Sequence, residues 1–297
     1  MPDQRLPQSA KPLDSTEYYE YGATSLFACQ HDQRFSYYLY VPNSYEEDAD
    51  TTYPLVVVVH GTDRPAQQYR DSFADWAEEN ECVILAPLFP AGIIEPRELD
   101  NYKFIKFHDI RFDHILLSMV DEISQRYRIA EERFLLFGFS GGGHFAHRFF
   151  YLHSHRLMGV SIGAPGQVTF LDPSRDWWVG IRDFEKHFGL PLRPERLREV
   201  PVQMVIGGED TETWEINDKD SPNWMEGADA AGKTRLERLS ALRDNYERLG
   251  MSVRYDVVPG VAHEDFKVLG PVKDFFSEVL RRRVTPGQAR GDGARRE

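Results

Sequence analysis

The sequence predicts an α/β protein in which a doubly wound, mostly parallel sheet is flanked by helices. Short apolar segments alternate along the chain with longer segments in which apolar residues recur every three or four positions. The segment 55–59, Leu-Val-Val-Val-Val, is apolar at every position, as expected of a central parallel strand that is covered on both faces. Alternating strands and helices build sheets of this class, and ligands bind beyond the carboxyl ends of their strands.

The individual elements follow from the same patterns. Strands are expected at 34–42, 55–59, 82–87, 134–139, 157–162, 202–206 and 252–258. Helices are expected at 69–80, 113–127, 144–151, 236–249 and 268–283, with Asp113 as the N-cap of the second. Short antiparallel pairs are expected at the leading edge of the sheet. No repeat or linker divides the chain, so one domain is predicted over 17–284, between disordered arms at 1–16 and 285–297.

Composition excludes several classes of function. The 297 residues carry a net charge of −13, which argues against a surface for nucleic acid or anionic membranes. No run approaches the roughly 18 apolar residues of a membrane span, and the polar N-terminus lacks the apolar segment of a signal peptide. The two cysteines, Cys29 and Cys82, lie too far apart in the chain for metal-ligand spacing. These features predict a cytoplasmic protein.

The segment 134–143 carries the strongest chemical signal. An apolar strand ends at Gly-Phe-Ser-Gly-Gly, residues 138–142, and a helical pattern follows at once. A sharp strand–turn–helix connection with serine at its apex is typical of a nucleophile elbow, where glycines let strand and helix approach closely. The N-terminus of the helix favours negative charge that develops beside the serine oxygen. Ser140 is therefore the candidate nucleophile.

A serine nucleophile needs a base, and the base needs a group that orients it. His263 lies directly after the last strand and before the last helix, at the rim where ligands bind. Asp210 follows the penultimate strand and a Gly-Gly turn, and it is the predicted third member. Glu209 is the alternative, because the register of this turn can differ by one residue.

A tetrahedral intermediate also needs two N–H donors. The first is expected from Gly141, directly after the nucleophile. The second is expected from Thr62, in the His60-Gly61-Thr62 turn that follows the strand at 55–59. His60 is expected to orient this loop rather than to transfer protons.

Together, the chain order Ser140, Asp210, His263, the glycine-rich elbow and the His60-Gly61 turn resemble the α/β-hydrolase superfamily over roughly residues 30–283. The segment 86–90, Ala-Pro-Leu-Phe-Pro, and the helix led by 109–113, Asp-Ile-Arg-Phe-Asp, are similar to the polyhydroxybutyrate-depolymerase and feruloyl-esterase branch. The resemblance implies a serine hydrolase with the α/β-hydrolase fold.

In this superfamily insertions lie over the active site as a lid, which the resemblance implies for residues 165–199. Trp177, Trp178 and Phe184 are the candidates for lining an acyl or aromatic substrate pocket there. The alternatives are that they pack the insertion onto the body or form a dimer contact. An acidic flap at 211–233 is expected to be a solvated surface rather than a cation site.

No metal and no cofactor is predicted. His144 and His147 lie one helical turn apart, and His153 and His155 follow, but no acidic residue or cysteine joins them at ligand spacing. Serine catalysis needs no metal. The glycines at 141–143 are not followed by the Lys-Ser/Thr of a phosphate loop, and no dinucleotide fingerprint is present.

The predicted function is hydrolysis of a carboxylic ester with a small or medium acyl group, or an aromatic one, through an acyl-enzyme on Ser140. The same residues could cleave an amide, a thioester, a lactone or a C–C bond, because a fold does not choose among these. Two rival functions are a peptidase for short peptides and a non-catalytic protein that binds a small ligand. The expected partner is a small-molecule ester, not nucleic acid or membrane, and a homodimer stays open.

Overall fold

A computed structural model describes residues 19–48, 50–130 and 132–284, so the arms predicted at 1–16 and 285–297 lie outside the described residues. The strands are β1 (Gly22–Ala23), β2 (Phe27–Ala28), β3 (Ser36–Val41), β4 (Leu55–Val59), β5 (Val83–Leu88), β6 (Lys106–Phe107), β7 (Ile110–Arg111), β8 (Phe134–Phe139), β9 (Leu157–Gly163), β10 (Val202–Gly207) and β11 (Val253–Val258). The helices are α1 (Ala66–Ser72), α2 (Ala74–Asn80), α3 (Phe112–Arg126), α4 (Gly141–His153), α5 (Phe184–Phe188), α6 (Pro194–Leu197), α7 (Arg235–Arg248) and α8 (Leu269–Val284).

The main sheet is mostly parallel, as the sequence predicts. Its strands lie in the order β1-β3-β5-β4-β8-β9-β10-β11, with β2 also paired to β3. The pairs from β5 through β11 are parallel, and those that β3 makes with β1, β2 and β5 are antiparallel. The predicted antiparallel additions at the leading edge are therefore confirmed.

The centre of the sheet is covered on both faces. Every residue of β4, β8, β9 and β10 is buried. This explains why these strands are mostly apolar on both faces instead of alternating between apolar and polar residues. Helix α4 is buried along its whole length, since it packs against β8 and β9. Each fully buried apolar side chain contributes roughly 1.5–3 kcal/mol relative to exposure, so this region is the main source of stability.

Two details of the predicted elements are wrong. The helix expected at 69–80 is two helices that meet at Phe73. There the α-helical hydrogen-bond pattern is interrupted, because the Phe73 N–H donates to the carbonyl oxygen of Arg70, three residues earlier. Asp113 does not cap α3. The helix begins at Phe112, and the buried Asp113 carboxylate instead accepts hydrogen bonds from Arg111 and His153. The charged Arg111 guanidinium binds the carboxylate more strongly than a neutral backbone N–H would.

The two insertions at 165–199 and 211–233 pack against each other. Trp178, Val179 and Ala228 form a small apolar cluster apart from the main core. The Trp178 indole N–H donates to the carbonyl oxygen of Asn223 at 2.8 Å. Among the described residues, no helix is long and apolar enough to cross a membrane.

Candidate active site

The turn between β8 and α4 holds Ser140 in a conformation that few residues adopt. Its φ is 54° and its ψ is −115°. The turn closes tightly because its neighbours are glycines. A Cβ atom on Gly138 would lie 2.1 Å from the Gly142 carbonyl oxygen, and one on Gly142 would lie 2.2 Å from the Val59 carbonyl oxygen. The strand, the helix and β4 therefore meet closely, and Ser140 stands at the carboxyl end of the sheet.

His263 contacts Ser140 and Asp210 at the same time. Its Nε2 lies 3.0 Å from the Ser140 Oγ, and its Nδ1 lies 2.6 Å from the Asp210 Oδ2. Because a carboxylate only accepts, Nδ1 carries the proton, and Nε2 is free to accept the serine proton. The imidazole also packs on the Phe139 ring, with 4.9 Å between centroids. The three residues follow β8, β10 and β11, so the predicted convergence at the carboxyl edge is present in the structure.

The turn after β10 presents Asp210, not Glu209, to the histidine. Asp210 has no exposed surface, whereas Glu209 is exposed. The second oxygen of Asp210, Oδ1, lies 3.4 Å from Nη1 of Arg235. Gly207 allows the close approach of the two loops, because a Cβ there would lie 2.3 Å from the Ala262 carbonyl oxygen.

Gly141 and Thr62, the two residues predicted to supply the oxyanion donors, are neighbours in the structure. Gly141 is the first residue of α4, where an N–H has no acceptor within the helix. The Thr62 Oγ1 lies 3.2 Å from the position that a Cβ would take on Gly141, and the Thr62 N–H donates to no acceptor among the described residues. Arg64 holds the Thr62 loop, since its guanidinium donates to the Thr62 and Phe89 carbonyl oxygens. Gly141 and Thr62 are therefore neighbours at the cavity that Ser140 lines.

His60 orients the loop, in agreement with the sequence-based expectation. It is fully buried, and its Nδ1 lies 2.7 Å from the Gly61 carbonyl oxygen, while the Phe89 N–H donates to its Nε2 at 3.1 Å. Burial lowers the pKa of His60 to about 3, so the ring is neutral. Both of its nitrogens are bonded, and neither is free to move a proton to or from a substrate.

A cavity of about 230 Å³ opens beside Ser140, and its walls are polar. It is lined by Thr62, Leu99, Asp100, Lys103, Ser140, His144, Gly166, Gln167, Glu215, Ile216, Asp218, Ser221 and Arg235. Both insertions supply wall residues. The two cations, Lys103 and Arg235, are buried and each is paired with a carboxylate: Lys103 Nζ lies 2.6 Å from Asp100, and Arg235 Nη2 lies 2.6 Å from Glu215.

The structure does not bring the predicted aromatic residues to this cavity. Trp177 and Trp178 line a neighbouring cavity of about 330 Å³, together with Phe104, Phe107 and Phe188 among others. Phe184 is buried behind Trp177, at 5.7 Å between ring centroids. The apolar residues of this insertion predict that it packs against the rest of the protein. The direction of the Trp178 ring, however, depends on contacts with residues that are distant in sequence.

One group of potential metal ligands occurs among the described residues, away from Ser140. The ligand atoms of Asp113, His114 and His153 lie within 4.8 Å of one another. Sequence spacing gives His153 no acidic partner, because Asp113 is 40 residues away in the chain. Arg111 already pairs with both carboxylate oxygens of Asp113. Although burial opposes it, hydrogen bonds from His153 and Arg111 hold the pKa of Asp113 below its usual value, as in a structural ion pair.

The charged wall of the cavity was not predicted from the sequence. Lys103 and Glu215 lie in loops, where no periodic pattern marks them. The burial of Arg235 could have been predicted from the sequence, because it lies on the same face of α7 as Arg238, Leu239 and other buried residues. A charged residue on the inward face of a helix indicates a buried ion pair or a ligand contact.

Many solved structures have a similar fold. No protein-family model matches the chain, and no curated protein matches it in sequence. A poly(aspartic acid) hydrolase from Sphingomonas sp. KT-1 matches with a TM-score of 0.69 at 20% identity, covering 85% of this chain and 97% of that one. The poly(3-hydroxybutyrate) depolymerase LpqC from Bordetella parapertussis matches with a TM-score of 0.66 at 23% identity, covering 83% and 87%.

A third neighbour is an S-formylglutathione hydrolase from Agrobacterium tumefaciens, with a TM-score of 0.53 at 18% identity, covering 84% of this chain and 90% of that one. Ferulic acid esterases also match. The topology of the sheet and these neighbours agree with the family resemblance seen in the sequence. The chain has the α/β-hydrolase fold.

Proposed function

We propose that the protein is a serine hydrolase that cleaves a small carboxylic ester. The observation that carries this proposal is the continuous contact from Ser140 through His263 to Asp210, at the edge of the sheet where α/β proteins bind ligands. The fold neighbours support it, since several are named as esterases or ester hydrolases.

In the proposed reaction, the Ser140 Oγ attacks the ester carbonyl while His263 Nε2 takes its proton. The N–H groups of Gly141 and Thr62 hold the oxyanion. Asp210 keeps the proton on Nδ1 and stabilises the imidazolium, which then returns the Nε2 proton to the departing alcohol. A water molecule, deprotonated by His263, attacks the acyl-enzyme and releases the acid, which restores Ser140.

The cavity limits the substrate. About 230 Å³ suits a small or medium acyl group rather than a long chain, and its polar walls favour groups that can form hydrogen bonds. The insertions at 165–199 and 211–233 both contribute wall residues, which supports a lid role for the paired insertions. The aromatic cavity beside Trp177 and Trp178 shares Asp100 with the Ser140 cavity and is proposed as an extension that takes an aromatic group of the substrate.

The test combines turnover with covalent labelling. A series of 4-nitrophenyl esters from acetate to dodecanoate, with one aromatic acyl member, is assayed alongside Ser140→Ala. We expect hydrolysis that peaks at short acyl chains, labelling of Ser140 by a fluorophosphonate, and loss of both in the variant. Absence of labelling in the folded wild-type protein would refute the proposal and favour a non-catalytic binding protein.

Amide hydrolysis is the second candidate, because the same relay cleaves amides and one neighbour is named as a hydrolase of poly(aspartic acid), a polyamide. Matched 4-nitroanilides in the same series separate the two. Comparable kcat/KM on anilide and ester would favour an amidase, and turnover of the ester alone would favour an esterase.

A further inference from the structure

A buried guanidinium continues the chain of contacts beyond Asp210. The Asp210 Oδ2 accepts from His263 Nδ1 at 2.6 Å, and its Oδ1 lies 3.4 Å from Nη1 of Arg235. The other terminal nitrogen of Arg235, Nη2, donates to Oε2 of Glu215 at 2.6 Å. Arg235 is the first residue of α7 and is buried, whereas Glu215 is exposed and belongs to the flap. The series that runs from the nucleophile to Asp210 is therefore two residues longer.

Arg235 binds its two carboxylates unequally. The contact with Glu215, at 2.6 Å, is that of a strong charge-assisted hydrogen bond, whereas 3.4 Å to Asp210 exceeds the roughly 2.7–2.9 Å of such bonds. Asp210 has no exposed surface, so solvent screens its interaction with a nearby cation only weakly. Glu215 thus holds the guanidinium back from the carboxylate that supports His263.

The charges behind His263 decide how well the protein stabilises its imidazolium form. Asp210 and Glu215 are negative and Arg235 is positive, so the three groups together carry one net negative charge. Without Glu215 the net charge would be zero, and Arg235 would be free to pair with Asp210 alone. A negative charge favours the protonated imidazole, which is the form that His263 takes while the serine attacks.

In the described part of the chain, Asp210 and Arg235 form ion pairs only with each other, with His263 and with Glu215. The other charged or titratable groups around the series are Lys103, Asp100, Asp218, Arg238, Asp229, Glu264, Asp265, Lys267 and His144. Six of them form the pairs Lys103–Asp100, Arg238–Asp229 and Lys267–Glu264, so their charges largely cancel. Burial lowers the pKa of His144 well below its usual value, so its ring is neutral. Asp218 is exposed and Asp265 accepts the Phe266 N–H, so neither replaces Glu215 at Arg235.

We propose that Glu215 and Arg235 are positioning residues that set the basicity of His263 through Asp210. This inference rests on the proposed serine hydrolysis, in which His263 takes the proton of Ser140. Glu215 belongs to the flap and lines the Ser140 cavity together with Arg235, so the base is most effective when the flap is seated in this position. The flap therefore contributes to the chemistry as well as to the walls of the cavity.

The rate at which a fluorophosphonate labels Ser140 tests the inference, because this reaction needs His263 as a base and the reagent itself does not titrate. The second-order rate constant is measured at constant ionic strength across the pH range in which a histidine titrates, and the pH of half-maximal rate is compared among variants. The variants are Glu215→Gln, Arg235→Met and the double variant. Glu212→Gln is the matched control, because Glu212 is an exposed acid of the same flap that does not line the cavity.

We expect the half-maximal pH of Glu215→Gln to lie about 0.5 below that of the wild type, because the imidazolium loses the net negative charge behind it. Arg235→Met should move the value upward by a similar amount, since Asp210 and Glu215 then have no cation between them. In the double variant Asp210 alone remains, so the value should return toward that of the wild type. Glu212→Gln should match the wild type.

An unshifted or raised half-maximal pH in Glu215→Gln would overturn the inference, and so would an equal shift in Glu212→Gln. Shifts in the same direction in Glu215→Gln and Arg235→Met would also overturn it, because a loss of local structure does not depend on the sign of the charge removed. If Arg235→Met does not fold, the two glutamate variants decide, since both residues are exposed. Failure of the proposed function gives a different result, because Ser140 of the folded wild type would then not be labelled at any pH.

Discussion

At the scale of residues, the proposed proton relay depends on the environment of Asp210. One of its oxygens accepts from His263 Nδ1, the other faces Arg235, and the side chain has no exposed surface. An amide at this position can donate as well as accept, so it would no longer hold the imidazole proton on Nδ1. We expect Asp210→Asn to lower kcat for a 4-nitrophenyl ester by roughly 10³–10⁴-fold, the size of the effect of the equivalent change in other triads.

Glu209→Gln is the matched control, since Glu209 lies next to Asp210 in the chain but is exposed. Its kcat/KM should stay within about twofold of the wild type, the range of surface substitutions away from functional groups. Similar losses in both variants would assign the effect to disruption of the turn rather than to the Asp210 carboxylate.

At the scale of elements, the elbow depends on the missing side chain of Gly138. A methyl group there would lie 2.1 Å from the Gly142 carbonyl oxygen, and backbone cannot yield as a flexible side chain can. We expect Gly138→Ala to lower the free energy of unfolding by about 1–3 kcal/mol and to reduce activity, because strand β8 and helix α4 must separate. Urea denaturation and ester turnover measure the two effects.

Gly270→Ala provides the opposite case. Gly270 lies in α8, and a Cβ there would meet nothing within 4 Å. In a helix interior alanine is more stable than glycine by about 0.5–1 kcal/mol; because Gly270 is the second residue of α8, this variant should be neutral to slightly stabilised and fully active. A loss of stability in both variants would show that close approach at the elbow is not the cause.

The contact between the insertions is a second element-scale feature. Trp178 packs in the cluster with Val179 and Ala228 and donates its indole N–H to Asn223. Trp178→Ala should therefore loosen the segment 211–233 and speed its cleavage in limited proteolysis by about tenfold or more. Trp214→Ala is the control, because Trp214 is 73% exposed and its removal should leave the cleavage rate unchanged. Equal rates in wild type and Trp178→Ala would mean that other contacts hold the flap.

At the scale of the whole molecule, the features that can be predicted from the sequence are those that depend on residues close together in the chain. The sheet is predicted from apolar segments such as Leu55–Val59, and the elbow is predicted from the glycines around Ser140. Each of these patterns is complete within a few consecutive residues. Trp178 is different, because its direction depends on contacts with Phe104 and with the segment 211–233, both remote in sequence. The same holds for the pairing of Arg235 with Glu215, which only the folded chain brings together.

Acid stability should also be a property of the whole molecule, because three histidines are buried in the neutral form. Burial lowers the pKa of His60 to about 3 and those of His144 and His147 well below the usual value. Below about pH 6.5 the unfolded chain binds these protons and the native protein does not, so stability falls as the pH falls. The three groups together contribute a slope of roughly 4 kcal/mol per pH unit between pH 6 and pH 5.

Urea unfolding at pH 7, 6 and 5 measures this slope, and His147→Gln tests its origin. Both nitrogens of His147 are bonded within the protein, so the variant loses stability at every pH, but it also removes one proton-binding group from the unfolded chain. Its slope between pH 6 and pH 5 should be smaller than that of the wild type by about 1.4 kcal/mol per pH unit. A variant with the wild-type slope would show that His147 is protonated in the native protein, and that the acid sensitivity arises elsewhere.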